Sequence, residues 1–280
     1  MDKAVHGSMI ITSNGEVYQE IGIPRPPGLI PAIPKYQLCR KSQWRRPGAS
    51  LCRVIKTYGP KGLAEAIDAM GARQHDDPLY GAPMTYIHEA NIIARIDPIE
   101  ALETAARKPR GRVSQAAVKL AYTFRGWTLG LTGTTAIGAE NDEISDVDLV
   151  VATQRPSRFL HEFTATVDPY TRDPSLSWRR GYYEGIHVSW VAAPQEPASH
   201  CPPLESYWRI DTPRRRVEAW VTVEPGQEGA LLYPPCVQAG DVYIVSYEYN
   251  HGYRLYRGGR IKVRGIAGSR TIYIGVRETG

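Results

Sequence analysis

Long apolar runs are missing from this sequence of 280 residues. No stretch reaches the roughly 18–20 consecutive apolar residues that a membrane-spanning helix needs. The opening residues, Met1-Asp2-Lys3, are not followed by the apolar segment and cleavage pattern of a secretory signal peptide. We therefore expect no membrane segment and a cytoplasmic location. Apolar residues still make up 42% of the chain, which is enough for a packed core.

Cysteine is scarce and badly placed for metal binding. The four cysteines, at positions 39, 52, 201 and 236, form no Cys-x-x-Cys pair and stand near no histidine at zinc-ligand spacing. We expect reduced thiols in a packed interior, and a disulfide between Cys39 and Cys52 is the alternative.

Lysine is also scarce, with 8 lysines against 26 arginines in a chain of formal net charge +5. Guanidinium groups bind phosphate oxygens in pairs, so a polyanionic partner is one interpretation of this bias. Genomic base composition and adaptation to heat are the alternatives. A net charge this small does not choose between them.

The chain contains no internal repeats, and its patterns divide it into three parts. Residues 1–96 are expected to be β-rich with some helix. The strand-like segments 9–13 and 16–18 around Asn14-Gly15 predict a hairpin. Residues 62–70 have one apolar face typical of a short helix. Residues 205–280 are expected to form a small antiparallel β domain. Its predicted strands include residues 242–249, 253–256, 260–266 and 271–276.

Between these parts, residues 97–200 alternate helical and strand patterns. Asp97-Pro98-Ile99-Glu100 predicts a helix start, with Asp97 as the cap, Pro98 in the first turn and Glu100 reaching back. Residues 112–125 fit an amphipathic helix. Strands are predicted over residues 127–132, 146–152 and 186–191.

One constellation in this middle part carries chemistry. A predicted strand ends in Gly133-Thr134, and eleven residues later Asp146-Val147-Asp148 opens the next strand. Residues i and i+2 of a strand share a side, so Asp146 and Asp148 are expected to project together. Two such carboxylates repel unless a cation lies between them, and Mg²⁺ or Mn²⁺ suits hard oxygen ligands.

The turn before the acidic pair is suited to phosphate. Gly133 permits close backbone approach, and the amides of Gly133, Thr134 and Thr135 can bond phosphate oxygens, with the Thr134 hydroxyl as a further contact. Turn and acids together predict a cradle for a metal–triphosphate complex. The alternative is an acidic loop before an ordinary strand.

This stretch resembles the core motif of the DNA polymerase beta nucleotidyltransferase superfamily, which is Gly-Ser, a spacer of about this length, and Asp-x-Asp on a strand. Thr134 stands where serine is usual and keeps the hydroxyl. Most of the chain also resembles, more diffusely, uncharacterised archaeal predicted nucleotidyltransferases. The shared features are an N-terminal hairpin followed by Pro-Pro-Gly, a core helix before Thr-Gly, and a tail like Val245-Ser246-Tyr247 to Gly265. The resemblance implies an α+β fold with a nucleotidyltransferase-like mixed sheet. It also implies catalytic, metal-binding Asp146 and Asp148, and nucleotide-binding Gly133, Thr134 and Thr135.

The sequence departs from the superfamily at the third carboxylate, which normally lies on a neighbouring strand and helps deprotonate the acceptor hydroxyl. In the candidate strand, His187 or Ser189 stands at that position, and Glu184 lies just before it. His187 could serve as a base instead.

Three functional hypotheses follow from these observations. The first is transfer of a nucleoside monophosphate from an NTP to a hydroxyl on nucleic acid, protein or a small molecule. The second is nucleotide or RNA binding without catalysis, and the third is a scaffold that binds RNA or a protein.

Basic and aromatic residues mix in the C-terminal strands, a pattern that can bind single-stranded nucleic acid by stacking and phosphate contact. A plain solvated sheet face is the alternative. The residues concerned are Arg254, Arg257, Arg260, Lys262, Arg264, Tyr247, Tyr249, Tyr253 and Tyr256. Weaker candidates for phosphate contact are Arg172, Arg179, Arg180, Arg214, Arg215 and Arg216.

Overall fold

The computed structural model describes residues 6–22, 27–57, 60–71, 74–77, 82–195, 215–268 and 270–275. These residues form an α+β fold with three sheets and six α-helices. The sheets follow one another along the chain. Within these ranges, no helix has the length and apolar character needed to cross a membrane.

The first sheet has eight strands, in the order β4-β5-β3-β2-β1-β8, with a β6–β7 hairpin attached to β3. The strands are β1 (Met9–Thr12), β2 (Val17–Glu20), β3 (Leu29–Cys39), β4 (Trp44–Arg46), β5 (Ala49–Arg53), β6 (Gln74–Asp77), β7 (Ala82–His88) and β8 (Ile92–Ile96). The predicted hairpin is confirmed, because β1 and β2 pair antiparallel on either side of Asn14-Gly15. The predicted short helix is α1 (Pro60–Ala69), which buries Ala66 and Ile67.

A disulfide links Cys39 at the end of β3 to Cys52 in β5, with a Cα–Cα distance of 5.8 Å. The expectation of reduced thiols was therefore wrong for this pair. The antiparallel pairing of β3 with β5 sets Gln37 opposite Cys52 and Cys39 opposite Ser50, which brings the two thiols together. Cys236 is buried, and Cys201 lies outside the described residues.

The second sheet is mixed, in the order β11-β12-β13-β10-β9. Its central strand β10 runs antiparallel to β9 and parallel to β13. Its elements are α2 (Pro98–Arg107), α3 (Arg112–Thr123), β9 (Thr128–Thr132), α4 (Gly133–Ala136), β10 (Val147–Ala152), α5 (Pro156–Thr166), β11 (Asp168–Pro169), β12 (Arg180–Tyr183) and β13 (Ile186–Ala193).

The predicted helices and strands of this part are confirmed to within about two residues. Asp97 caps α2 as expected, since its carboxylate accepts hydrogen bonds from the backbone N–H of Ile99 and Glu100. Helix α5 was not predicted, although Pro156 in its first turn and its apolar spacing indicate a helix. Its aromatic side chains fill the core beside Trp190. The buried aromatic residues there are Phe124, Phe159, Phe163, Trp178 and Trp190.

The third sheet has the order β14-β17-β18-β16-β15. Its elements are β14 (Arg215–Val223), β15 (Cys236–Ala239), β16 (Val242–Ser246), α6 (Gly252–Arg257), β17 (Gly259–Ala267) and β18 (Thr271–Ile274). Two expectations were wrong. Residues 253–256 are helical, because Tyr253 and Tyr256, three apart, turn to one side and pack on the core of the second sheet. The sheet is also not purely antiparallel, since β16 and β18 run parallel. Val276, the expected end of the last strand, lies outside the described residues.

Candidate functional site

Strand β10 presents the two predicted acidic residues at its start. Val147 and Leu149 are fully buried in the core beneath the helices. Strand alternation therefore directs Asp148 to the opposite face, and Asp146, just before the strand, to the same side. The Asp146 side chain keeps 39% of its surface exposed. The pair is thus fixed by a buried strand yet open to solvent.

Strand β13 gives each aspartate its own partner. The parallel register sets Asp148 beside Ser189, and the Ser189 hydroxyl donates a 2.5 Å hydrogen bond to Asp148 Oδ1. His187, two residues earlier, places Nδ1 3.2 Å from Asp146 Oδ2. The predicted neighbouring strand is therefore adjacent to the acids. The residues that it presents there are a hydroxyl and an imidazole.

The Gly133 turn, at the end of β9, lies against Asp148. Gly133 has φ = +71°, a left-handed conformation that favours glycine. A Cβ at this position would lie 2.7 Å from Asp148 Oδ2. Glycine is therefore required both by its backbone angle and by the closeness of the carboxylate. The turn and the acidic pair, predicted to meet, are in contact.

The two threonines after Gly133 are turned into the structure. Thr134 and Thr135 are buried. The Thr134 hydroxyl bonds to the Ser145 hydroxyl at 3.2 Å, and the Thr135 hydroxyl donates to the backbone oxygen of Asp146 at 3.5 Å. Both hydroxyls therefore brace the loop that leads to the acids. A phosphate contact by Thr134 would require its hydroxyl to change partner.

Two cations from the first sheet act on the acidic pair, and neither was among the predicted site residues. Lys35 and Arg53 exert their charges on Asp148 and Asp146 respectively. The pairing of β2 with β3 skips Lys35, since Val17 pairs with Tyr36 and Tyr18 with Pro34. Such a bulge redirects a side chain, and Lys35 is buried. A lysine directly after six apolar residues of β3 was the only sequence signal.

The first sheet is fastened to the second at the turn itself. The Thr132 hydroxyl, one residue before Gly133, donates to the backbone oxygen of Gly7 at 2.6 Å. The Gln19 amide donates to the same hydroxyl at 3.2 Å. Asn141, in the loop before the acids, donates to the backbone oxygen of Gln43. These contacts fix the strands that carry Lys35 and Arg53 relative to the aspartates.

The surroundings push the two carboxyl pKa values in opposite directions. Burial and then the charge of Asp146 raise the pKa of Asp148, and the Ser189 hydrogen bond and Lys35 oppose them only in part. Burial also acts to raise the pKa of Asp146, but the hydrogen bond and charge of His187, aided by Arg53, outweigh it and lower that pKa. Asp146 is thus the more acidic member of the pair.

The residues present fit one hard divalent cation. Asp146 and Asp148 supply carboxylate oxygens from one side, and the absence of a side chain at Gly133 leaves Asp148 Oδ2 open toward the turn. Within the described ranges, no group of three or more His, Cys, Asp or Glu side chains is arranged to hold a metal. Phosphate oxygens and water would therefore complete the shell of a cation held by this pair.

The other residues proposed for the site have different partners. Glu184 forms an ion pair with Lys119 of α3 at 2.7 Å. Its carboxylate therefore does not take the place of a third carboxylate beside the two aspartates. Arg179 lies over the Tyr249 ring and Arg180 over the Tyr170 ring, at 5.0 and 5.7 Å. Arg172 is exposed, and Arg214 lies outside the described residues.

The predicted basic and aromatic C-terminal surface is only half present. Tyr247, Tyr249, Tyr253 and Tyr256 pack against the hydrophobic clusters, because α6 and the segment before it turn inward. The cations at Arg260, Lys262 and Arg264 do lie on an exposed face. The exposed aromatic residue beside them is one that the sequence did not single out, Trp220, with 59% of its surface accessible.

Comparison of this chain with protein-family models, curated proteins and solved structures finds no match. The residues of the site and their geometry therefore carry the functional conclusion.

Proposed function

We propose that this chain is a metal-dependent nucleotidyltransferase of the DNA polymerase beta type. It would transfer a nucleoside monophosphate from an NTP to a hydroxyl on nucleic acid, protein or a small molecule, with release of pyrophosphate. The observation that carries the proposal is the approach of the Gly133 turn to Asp148, beside Asp146 at the start of the same strand. A turn able to bind phosphate and a carboxylate pair able to bind a cation meet at one point.

Each residue of the site would have a role that fits its chemistry. Asp146 and Asp148 would hold Mg²⁺ or Mn²⁺, which when bound neutralises the triphosphate and lowers the pKa of an attacking hydroxyl. The backbone amides of Gly133, Thr134 and Thr135 would bind phosphate oxygens. The hydroxyls of the two threonines hold the turn against the acids.

Lys35 and Arg53 supply the positive charge that a triphosphate requires beyond its metal. Their charges already act on the aspartates, so the site without ligand approaches electrical balance rather than a net charge of about −2. A bare cation would bind such a site weakly. An NTP that arrives with its own metal would bind better, because its phosphates take over the two protein cations.

A second candidate function is supported by Ser189. This residue lies beside Asp148 where the superfamily places a third carboxylate, and its hydroxyl donates to Asp148. His187 faces Asp146 through Nδ1, while its Nε2 is buried and makes no hydrogen bond within the described part of the chain. This arrangement favours a site that binds a nucleotide or an RNA end and does not catalyse a reaction.

A labelling experiment separates the two functions. The full chain is incubated with each labelled NTP, Mg²⁺ or Mn²⁺, and total RNA or cell extract. The comparison is with an Asp146→Asn/Asp148→Asn protein, and with Asp241→Asn as a control at an exposed turn. A labelled product lost only in the double variant supports transfer. No product, with metal-dependent nucleotide binding seen by calorimetry, supports the binding function. Neither product nor binding overturns both.

A further inference from the structure

The outer face of β14 and β17 combines an aromatic platform with a row of cations. Strand β14 directs Glu218, Trp220 and Thr222 outward, and the antiparallel register places them opposite Arg264, Lys262 and Arg260 of β17 respectively. The alternate residues, such as Ile261 and Val263, fill the core beneath. The outward residues are thus held in fixed positions by a packed sheet.

Trp220 is the anchor of this face. More than half of its surface is exposed, although an indole is among the most apolar side chains to leave in water. The Arg260 guanidinium carbon lies 5.0 Å from the centre of its ring. An exposed ring with a cation beside it is the arrangement that stacks a nucleobase and holds its phosphate.

A groove continues from this platform toward helix α6. Its volume is about 560 Å³, and Trp220 lies at one side of it. Four Lys or Arg side chains line it, from Arg254 in α6 to Arg264, against one acid, Glu248. The groove therefore has an excess of cations beside apolar lining residues such as Leu255 and Ile274, a combination that favours a polyanion with apolar groups.

Glu218 pairs with two of the cations of this face. Its carboxylate accepts from Arg264 at 2.8 Å and also pairs with Lys262, and hydrogen bonds from both lower its pKa. Because exposed ion pairs are weak, a phosphate can displace this carboxylate from the two cations. Arg260, Lys262 and Arg264 recur every second residue, roughly 7 Å apart along one strand. A linear charged backbone can follow such a row.

We propose that this face of the third sheet binds single-stranded nucleic acid, with a base stacked on Trp220 and backbone phosphates on Arg260, Lys262 and Arg264. The site shares no residue with the Asp146–Asp148 centre, so it goes beyond the proposed function and does not depend on it. Stacking and phosphate contact serve both RNA and DNA, and the experiment compares the two.

The test is fluorescence anisotropy of labelled oligouridylate and oligothymidylate, each of about 12 nucleotides, with the full chain at two salt concentrations. We expect Trp220→Ala to weaken binding roughly tenfold or more. We expect Arg260→Ala or Lys262→Ala to weaken binding and lower the salt slope by about one each. The matched controls are Tyr122→Ala and Arg125→Ala, an exposed aromatic and an exposed cation on or beside α3, which should change nothing.

A further variant and a further condition keep the test decisive. Glu218→Gln removes the acid from this face, so it should tighten binding, a gain that unfolding cannot imitate. Binding to this face needs no metal, so the native chain should bind the oligonucleotides equally in EDTA and in Mg²⁺ at matched ionic strength, which separates this site from the proposed metal-dependent centre. The proposal is overturned by no binding, by equal losses in the controls, or by competition from polyglutamate as strong as that from unlabelled oligonucleotide. A preference for oligouridylate would identify the ligand as RNA, and one for oligothymidylate as DNA.

Discussion

Ser189 donates its hydroxyl to Asp148 from the neighbouring parallel strand, across a distance of 2.5 Å. The hydroxyl lies where the resemblance to polymerase-type nucleotidyltransferases implies a carboxylate. It gives Asp148 a hydrogen bond. A carboxylate at this position would instead help to bind a second cation. Under the proposed function, the hydroxyl at this position decides between a site that catalyses transfer and a site that only binds the nucleotide.

Ser189→Asp should restore a carboxylate to that position. In EDTA we expect the variant to be less stable by about 1–3 kcal/mol, because a third negative charge enters without a cation. Mn²⁺ should then stabilise it more than it stabilises the native chain, since three carboxylates bind a hard cation better than two. Thermal unfolding with and without Mn²⁺ measures both effects, and Ser189→Asn is the uncharged control. Equal Mn²⁺ responses in the two variants would show that residue 189 does not face the cation site.

The opposite pKa directions of the acidic pair predict opposite effects of neutralising each acid. In metal-free protein at pH 7, Asp148→Asn should raise the free energy of unfolding, because it removes a charge that burial and Asp146 disfavour. Asp146→Asn should lower it, because it removes the partner of His187. Each change should be under about 1 kcal/mol, since both carboxylates are partly exposed and solvent screens them. Urea unfolding in EDTA measures both, and changes of the same sign would contradict the assignment.

The same directions fix the pH dependence of cation binding. The folded pKa of Asp148 is raised, so its proton stabilises the metal-free fold at low pH, and this contribution is lost as pH rises through that pKa. The folded pKa of Asp146 is lowered, so its contribution is present above its ordinary value and is lost as pH falls through the folded pKa. Mn²⁺ needs both acids ionised. Its affinity should fall about tenfold per pH unit below the pKa of Asp148, and titration by calorimetry from pH 7 downward would show this.

Much of the second sheet follows from local patterns. The cap at Asp97, the apolar stripe of α3 and the i, i+2 placement of Asp146 and Asp148 each depend on a few neighbouring residues. The structure has all three features. Strand β13 could also be recognised as apolar, and its alternation fixed which residues would face the acids.

Features that depend on distant contacts could not be predicted in this way. The charge of Lys35 acts on Asp148 across two sheets, which depends on the irregular pairing of β3 beside Lys35 and on the contacts of the first sheet with Thr132. Tyr253 and Tyr256 fit a strand as well as a helix, and packing on the core decides for the helix. Trp220 lies in a strand in which polar and apolar residues alternate, and no local feature predicts whether such a tryptophan is exposed or buried.

Lys35→Met tests the role of the cation that the first sheet brings to the site. The affinity for Mg²⁺–NTP should fall roughly tenfold or more, because a charge-assisted contact to phosphate is lost. The affinity for a nucleoside should change little, since it carries no phosphate. Calorimetry with both ligands measures the difference, and Lys61→Met, an exposed lysine on α1, is the control. Equal losses for NTP and nucleoside would place Lys35 in a purely structural role.

The disulfide between Cys39 and Cys52 joins β3, which carries Lys35, to β5, which carries Arg53 one residue after Cys52. A link over 13 residues of sequence should contribute about 3 kcal/mol to the free energy of unfolding. A Cys39→Ser/Cys52→Ser protein should lose that amount and should also bind Mg²⁺–NTP less tightly, because Arg53 is held less firmly near Asp146. Urea unfolding with and without reductant gives the measurement. Reductant should weaken the native chain to the level of the double variant and leave the variant unchanged. A native chain as stable in reductant as without it would mean that strand pairing alone fixes Lys35 and Arg53 beside the acids.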